Sequence, residues 1–197
     1  MKTKSMNFVL VGVGGQGTIL ASDLLAELGL KLGYDVKKAE VHGMSQRGGS
    51  VISHLRWGQQ VFSPIIPRGE ADVLVAFEKM EAVRFLDLVK PDGLVLVNDY
   101  AIEPVTVNTA GIPYPQDDYL HQQLAQVTNR VHWVKGMEIA ETLGNTRAAN
   151  VVVLGALSGL LDLDAQCWDD ALQIRIPPKY LELNRQAFQA GRAAVAG

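Results

Sequence analysis

The sequence predicts an α/β fold with a single doubly wound, mostly parallel sheet and helices on both faces, a Rossmann-like arrangement. The apolar run 8–11 ends at a cluster of glycines, and leucines then recur at helical spacing at positions 20, 24, 28 and 32. This order gives a buried strand, a glycine turn and a helix. Short apolar runs alternate with helical segments along the rest of the chain, as in a parallel sheet. The 197 residues, 48% of them hydrophobic, suffice for one core and predict one domain spanning 1–197.

The first half of the chain predicts a βαβ unit followed by an insertion. A second strand at 36–41 follows the leucine-rich helix, and the connection between the two strands should be a right-handed crossover. Segment 42–50 has no periodicity and contains three glycines, which indicates an irregular loop. Runs 51–57 and 61–63 alternate well enough to predict a β-hairpin insertion.

The second half continues the alternation of strands and helices. We predict strands at 73–77, 94–98 and 131–134, a turn at 91–93, and a strand with loops within the proline-containing stretch 103–115. We predict helices at 78–89, 117–128, 148–161, 164–174 and 179–194. Pro177 and Pro178 forbid a continuous helix across the last two.

Composition excludes several functions. The net charge of −3 is spread along the chain, so neither nucleic acid nor an anionic membrane is an expected partner. Cys167 is the only cysteine, so the chain cannot form an internal disulfide or complete a cysteine-ligated iron–sulfur cluster. Run 148–161 is shorter than the roughly 20 residues that cross a bilayer, and run 8–13 reads as a buried strand and not as a leader. We expect a cytoplasmic protein.

A glycine turn is the first candidate site. Residues 12–17 satisfy the G-x-G-x-x-G pattern between a strand and a helix, where backbone N–H groups and the positive helix end favour a phosphate. Glu40 lies where a dinucleotide fold would place a ribose-binding acid. Alternatively, the glycines only permit a tight turn and Glu40 is a solvated charge. The candidate binding residues here are Gly12, Gly14, Gly15, Gln16, Gly17 and Thr18.

The loop after the second strand is the other candidate site. Arg47 could bind a carboxylate or phosphate through its two-pronged guanidinium, and His42 could carry a proton near neutral pH. His42 can equally be a hydrogen-bonded structural residue. The candidate binding residues are Gly43, Met44, Ser45, Gln46, Arg47, Gly48, Gly49 and Ser50. We identify no catalytic residue beyond the candidates His42 and Arg47, and no metal ligand.

These motifs together resemble a known family. The glycine turn with Gln16, the 40–50 run, Arg56 and the run 69–72 before a strand resemble the gamma-type subunit or domain of 2-oxoacid:ferredoxin oxidoreductases, which include pyruvate and ketoisovalerate enzymes. The resemblance covers nearly the whole chain. The run 42–49 is similar to that of the indolepyruvate beta subunit, whereas pyruvate-type members usually replace its His-Gly-Met stretch.

The resemblance implies a role in a larger enzyme. In that reaction thiamine diphosphate attacks a 2-oxoacid, carbon dioxide leaves, [4Fe-4S] clusters carry two electrons to ferredoxin, and coenzyme A takes the acyl group. The thiamine diphosphate, its Mg²⁺ and the clusters are expected in a large partner subunit, with no cofactor bound by this chain alone. The glycine turn and the 42–50 loop would help to shape the shared active site or the approach of coenzyme A.

Two other functions stay open at this point. The chain could be a free-standing NAD(P)- or FAD-binding oxidoreductase that uses the glycine turn and Glu40. It could also be a structural assembly subunit, in which both loops serve only the interface. The isolated chain could in addition form a homodimer.

Overall fold

The computed structural model describes residues 5–42, 48–103, 113–161, 163 and 165–196, and only the backbone of His42 and Ala165. Within these residues the strands are β1 (Met6–Val13), β2 (Asp35–His42), β3 (Ser50–Gly58), β4 (Ala71–Ala76), β5 (Val89–Asn98) and β6 (Val131–Val134). The helices are α1 (Thr18–Lys31), α2 (Lys79–Arg84), α3 (Asp117–Ala125), α4 (Gly136–Thr142), α5 (Ala149–Leu160), α6 (Ala165–Arg175) and α7 (Pro178–Ala193), with 3₁₀ turns at Leu86–Leu88 and Thr146–Ala148.

The strands of the described chain form one mixed sheet in the order β2-β3-β1-β4-β5-β6. Strands β1, β4, β5 and β6 run parallel to one another, while β3 is antiparallel to both β1 and β2. The predicted α/β class, with helices on both faces of a mostly parallel sheet, is therefore confirmed.

The insertion differs from the prediction. Strand β3 lies between β1 and β2 and pairs with both, so the opening βαβ unit does not place β1 and β2 side by side. Residues 61–63 form no strand, because both edges of β3 are already occupied. The segment instead lies against β3, where Val61 N donates to Asp35 Oδ2 at 2.8 Å and Ile66 N donates to His54 Nδ1 at 3.3 Å. The hairpin of the insertion is thus β2–β3.

The region around residues 78–93 also differs. The helix predicted at 78–89 is shortened to α2 and a 3₁₀ turn, and β5 already begins at Val89. The turn predicted at 91–93 lies inside β5, where the register with β4 shifts between Ala71 and Val73. A bulge accommodates Pro91 within a strand, and Asp92 adopts a φ of 62° there. Helix α4 was not predicted.

Apolar side chains cover both faces of the sheet. Phe8 and Leu10 of β1 face α1, α5, α6 and α7, whereas Val9 and Val11 face α2 and α3. This alternation explains why the central strands read as continuous apolar runs. Helix α1 follows β1 on one face and α2 follows β4 on the other, so the winding reverses between β1 and β4.

The helical layer that contains α5 and α7 is unusually close-packed. A Cβ atom on Gly155 would overlap the backbone oxygen of Phe188, and a Cβ atom on Gly191 would overlap the backbone oxygen of Val152. Glycines at both positions therefore let the two backbones touch. In the part of the chain that the structure describes, no helix is both long and apolar enough to span a bilayer.

Candidate functional site

A cleft of about 600 Å³ opens at the carboxyl ends of the parallel strands, next to the point where the winding reverses. Open α/β sheets bind ligands at this position. One wall is the glycine turn and the start of α1, and the opposite wall is the start of α5 with the segment after β5. The lining residues are Gly14, Gly15, Gln16, Gly17, Leu20, Phe77, Asn98, Tyr100, Ile102, Met137, Thr146, Arg147, Ala149 and Asn150.

Two side-chain amides tie the strand ends together at the floor of the cleft. Gln16 Oε1 accepts from Val13 N at 2.7 Å, and Gln16 Nε2 donates to Phe77 O at 2.7 Å. Asn98 Nδ2 donates to the same carbonyl at 3.2 Å, and Asn98 Oδ1 accepts from Gly136 N at 2.9 Å. These bonds join the ends of β1, β4 and β5 to the start of α4. Both Gln16 amide atoms thus have protein partners at the floor of the cleft.

The glycine turn has the conformation that its residues require. Gly17 is the N-cap of α1 with φ 80°, and a Cβ there would collide with Asn150 Nδ2. A Cβ on Gly12 would lie 2.9 Å from Gln16 Oε1. Among the described residues no side chain caps α1, so its first N–H groups and its positive dipole end are available to an anion. Thr18 is 3% exposed and does not line the cleft.

The start of α5 supplies the opposite wall, and sequence reasoning missed it. Asn150 Nδ2 donates to Gly17 O at 3.3 Å, which joins the starts of α5 and α1. Asn145 Oδ1 accepts from Arg147 N at 3.1 Å and caps the 3₁₀ turn before α5. The exposed Arg147 guanidinium lines the cleft and pairs with no carboxylate of the described chain. The sequence signal for this wall was Asn145-Thr146-Arg147, in which a helix-capping residue and a cation precede the apolar run.

The cleft can therefore hold an anion. The start of α1 and the Arg147 guanidinium border it, and both kinds of group favour phosphate or carboxylate. Leu20, Phe77, Tyr100, Ile102 and Met137 supply apolar surface beside them. This mixture suits a ligand with both charged and apolar parts.

The second predicted loop meets the glycine turn. Gly14 N donates to Gly49 O at 2.9 Å, and the hydroxyl of Ser50 donates to Glu81 Oε2. Gly48 has a φ of 75° and is exposed. Gly43, Met44, Ser45, Gln46, Arg47 and the side chain of His42 lie outside the described residues. The two predicted loops thus adjoin through Gly14, Gly49 and Ser50.

Two buried glutamates at the start of α2 form a polar cluster that sequence reasoning also missed. Glu78 is 1% exposed and Glu81 is 4% exposed. Glu78 caps α2 by accepting from Glu81 N at 2.9 Å, and it also accepts from Ile102 N at 3.1 Å and from the Tyr114 hydroxyl. Burial raises the pKa of Glu81, although its bonds to Ser50 and Arg84 oppose that shift. Burial and the neighbouring Glu78 also raise the pKa of Tyr114. The sequence signal for this cluster was a pair of glutamates three residues apart directly after a strand, a spacing typical of the start of a helix.

Glu40 does not adjoin the glycine turn. It lies on β2, and β3 separates that strand from β1, a gap of about 10 Å at ordinary strand spacing. Lys38 Nζ contacts Glu40 Oε1 at 2.6 Å and also bonds Asp23 of α1. Among the described residues, no group of three or more His, Cys, Asp or Glu side chains could hold a metal ion.

Comparison with known proteins places this chain in a family. The model of the pyruvate ferredoxin/flavodoxin oxidoreductase family matches residues 7–194. An indolepyruvate oxidoreductase subunit IorB of Archaeoglobus fulgidus is 39% identical over 195 residues, which cover 98% of this chain and 96% of the relative. The IorB subunit of Thermococcus kodakarensis is 38% identical over 95% of both chains.

More distant relatives share the fold. The gamma subunit of a keto/oxoacid ferredoxin oxidoreductase from Geobacter sulfurreducens superimposes with a TM-score of 0.70 at 23% identity, covering 96% of this chain and 98% of that one. A 2-oxoglutarate:ferredoxin oxidoreductase from Magnetococcus marinus, solved with 2-oxoglutarate, coenzyme A and succinyl-CoA bound, superimposes with a TM-score of 0.72 at 20% identity. That match covers 98% of this chain and 31% of the longer one.

Proposed function

The chain belongs to the pyruvate ferredoxin/flavodoxin oxidoreductase family, and from that premise we propose that it is the non-cofactor subunit of an enzyme that oxidatively decarboxylates indolepyruvate or other arylpyruvates to the acyl-CoA and reduces ferredoxin. It is an oxidoreductase subunit and acts as part of a complex. The substrate class rests on the relatives named indolepyruvate oxidoreductase subunits, which are 34–39% identical over almost the full chain.

The electron-transfer and thiamine chemistry is assigned to a large partner subunit. A single cysteine, Cys167, cannot ligate a [4Fe-4S] cluster. Thiamine diphosphate with Mg²⁺ would supply the carbanion chemistry of decarboxylation from the partner. What this chain contributes is a shaped, anion-binding wall beside that centre.

The cleft at the strand ends is our candidate for binding coenzyme A. The observation that carries this proposal is the convergence of the start of α1, which no side chain of the described residues caps, and the Arg147 guanidinium on one opening of about 600 Å³. Phosphate groups of coenzyme A would lie against these positive groups, and the apolar lining would contact its uncharged parts. We propose further that Arg47 and the neighbouring residues of the 42–50 loop face the same shared site. Unchanged turnover of the complex after Arg47→Ala would contradict that assignment.

Reconstitution of the enzyme tests the proposed function. The chain is co-expressed without oxygen with the protein encoded beside it that carries cluster cysteines and a thiamine motif. Indolepyruvate-dependent reduction of ferredoxin or methyl viologen is then measured with and without coenzyme A, and each chain alone is the control. We expect reduction only when both chains and coenzyme A are present.

Other outcomes separate the competing functions. A stable complex that is inactive on arylpyruvates but active on another 2-oxoacid contradicts the proposed substrate class. Loop variants that lose assembly and activity together favour a purely structural subunit. Tight, stoichiometric binding of a dinucleotide by the isolated chain, without association with the partner, favours the free-standing oxidoreductase.

A further inference from the structure

The start of α2 contacts both segments that border the glycine turn, and none of its residues is assigned to binding or catalysis above. On one side Glu81 accepts the hydroxyl of Ser50 at the beginning of β3. On the other side Glu78 accepts from Ile102 N at 3.1 Å and from the Tyr114 hydroxyl. A cavity of about 280 Å³ lies between these contacts and shares Ile102 with the larger cleft.

Burial of the Glu81 carboxylate is unfavourable unless the carboxylate is hydrogen-bonded. Glu81 is 4% exposed, and a buried carboxylate is tolerated only when hydrogen bonds satisfy it. Two bonds do so within the described chain, one from the hydroxyl of Ser50 and one from Arg84 Nε at 3.0 Å. Removal of either partner leaves part of a buried charge unsatisfied. The Ser50 bond is therefore well suited to fix one position of the β3 start.

The position of Ser50 in turn fixes the glycine turn. Its neighbour Gly49 accepts from Gly14 N at 2.9 Å, and Gly14 lines the cleft. A short chain of contacts thus runs from Glu81 through Ser50 and Gly49 to Gly14. Each link is a hydrogen bond or a peptide bond, so displacement of Ser50 moves the acceptor of the Gly14 amide.

We propose that Glu81 is a positioning residue, which acts through Ser50 and Gly49 to hold the glycine turn in the shape that binds coenzyme A. The proposal rests on the function proposed above for the cleft, and it adds a residue on the opposite face of the sheet from α1. Under this proposal Glu81 itself contacts neither the substrate nor a cofactor. Its variants should therefore raise the KM for coenzyme A while kcat changes little.

Amide hydrogen exchange on the isolated chain tests the anchor without any assay of activity. In Ser50→Ala and Glu81→Met we expect the Gly14 amide to exchange about tenfold faster, because its acceptor is no longer held. Ser50→Thr keeps the hydroxyl and should restore slow exchange. Glu103→Met is the matched control, since Glu103 lines the same 280 Å³ cavity but does not bond Ser50. Unchanged Gly14 exchange in both Ser50→Ala and Glu81→Met overturns the proposal.

Kinetics of the complete complex test the effect on the cleft. We expect Ser50→Ala and Glu81→Met each to raise the KM for coenzyme A about tenfold, with an equal effect for the double variant because both remove the same bond. Wild-type KM in both variants, despite faster Gly14 exchange, contradicts a positioning role. If the wild-type complex oxidises no 2-oxoacid, the function proposed above fails, while the exchange measurement still decides whether the anchor exists.

Discussion

At the scale of single residues, Arg147 is the side chain whose role is most directly testable. It borders the cleft, it is exposed, and no carboxylate of the described chain neutralises it. A charge-assisted hydrogen bond contributes about 1.5–3 kcal/mol, and about 1.4 kcal/mol is a tenfold change in affinity. We therefore expect Arg147→Ala to raise the KM for coenzyme A in the complex by about ten- to hundredfold.

Controls separate this effect from a general change of charge. Arg147→Lys keeps the charge but loses the planar fork, so its KM should lie between those of wild type and Arg147→Ala. Arg68→Ala removes an exposed arginine that pairs with Asp87 at 2.9 Å, outside the cleft, and should leave KM unchanged. If Arg147→Ala and Arg68→Ala behaved alike, the anion would have to bind elsewhere.

Glu81 gives a second residue-scale prediction, which concerns pH. Burial raises its pKa in the folded chain above the usual value of about 4.3, so the folded state holds this proton more tightly than the unfolded state does. The contribution of Glu81 to the free energy of unfolding therefore falls as pH rises from the pKa in the unfolded state through the pKa in the folded state. Above the folded-state pKa this contribution is constant. The charged groups around it are Arg84, which opposes the shift, and Glu78, which adds to it.

The Gln variant removes this titration. We expect the free energy of unfolding of Glu81→Gln, minus that of wild type, to increase between about pH 4 and pH 7, as measured by urea titration at each pH. Gln keeps an oxygen that accepts from the Ser50 hydroxyl, and its remaining differences from a protonated carboxyl group shift the whole difference by a constant without changing its slope. If this difference in the free energy of unfolding decreased with rising pH instead, the ionised carboxylate would be stabilised in the folded state.

At the scale of secondary-structure elements, the contact between α5 and α7 depends on two glycines. A Cβ at Gly191 would overlap the backbone carbonyl of Val152, and backbone cannot move aside as a side chain can. Overpacking typically costs about 1–3 kcal/mol and occasionally more. We expect Gly191→Ala to lower the free energy of unfolding by about 3 kcal/mol, as measured by chemical denaturation.

Gly159 provides the matched control on the same pair of helices. A Cβ there would lie 2.8 Å from Val195 Cγ2, a side chain beyond the end of α7 that can rotate away, and 3.3 Å from Arg192 O, a contact that a shift of a few tenths of an ångström relieves. Alanine also favours a helix interior by about 1 kcal/mol over glycine. Gly159→Ala should therefore be close to neutral. Equal destabilisation by both substitutions would mean that the helices do not approach as closely as described.

Elements also show what the sequence could predict and what it could not. The glycine turn, α1 and the buried strands were predictable, because their signals are local repeats and turn residues. The place of β3 between β1 and β2 was not, since an alternating strand does not specify which edge it joins. Arg147 and Glu81 were missed for a related reason: they reach the site from segments far along the chain, and only the winding of the sheet brings them to Gly14.

At the scale of the whole molecule, the strand order bears on which nucleotide can bind. In dinucleotide folds the acid that holds the ribose follows the strand beside β1. Here β3 occupies that place, and Glu40 on β2 is about two strand spacings away and contacts Lys38. The glycine turn keeps its capacity for a phosphate, but the adenosine half of a dinucleotide lacks its usual partner.

The sheet order therefore predicts discrimination between nucleotides. We expect NAD⁺, NADP⁺ and FAD to bind the isolated chain with dissociation constants above about 1 mM, equivalent to less than about 4 kcal/mol, as measured by isothermal titration calorimetry. In the complex, coenzyme A, which has a ribose 3′-phosphate that NAD⁺ lacks, should bind at least tenfold more tightly than NAD⁺, and Arg147→Ala should reduce that difference if the guanidinium binds this phosphate. Because NAD⁺ carries the same diphosphate, its weak binding would show that the rest of the cleft, and not the glycine turn alone, selects the ligand. Micromolar binding of NAD⁺ that Glu40→Ala weakens would instead mean that Glu40 reaches the ribose despite the intervening strand.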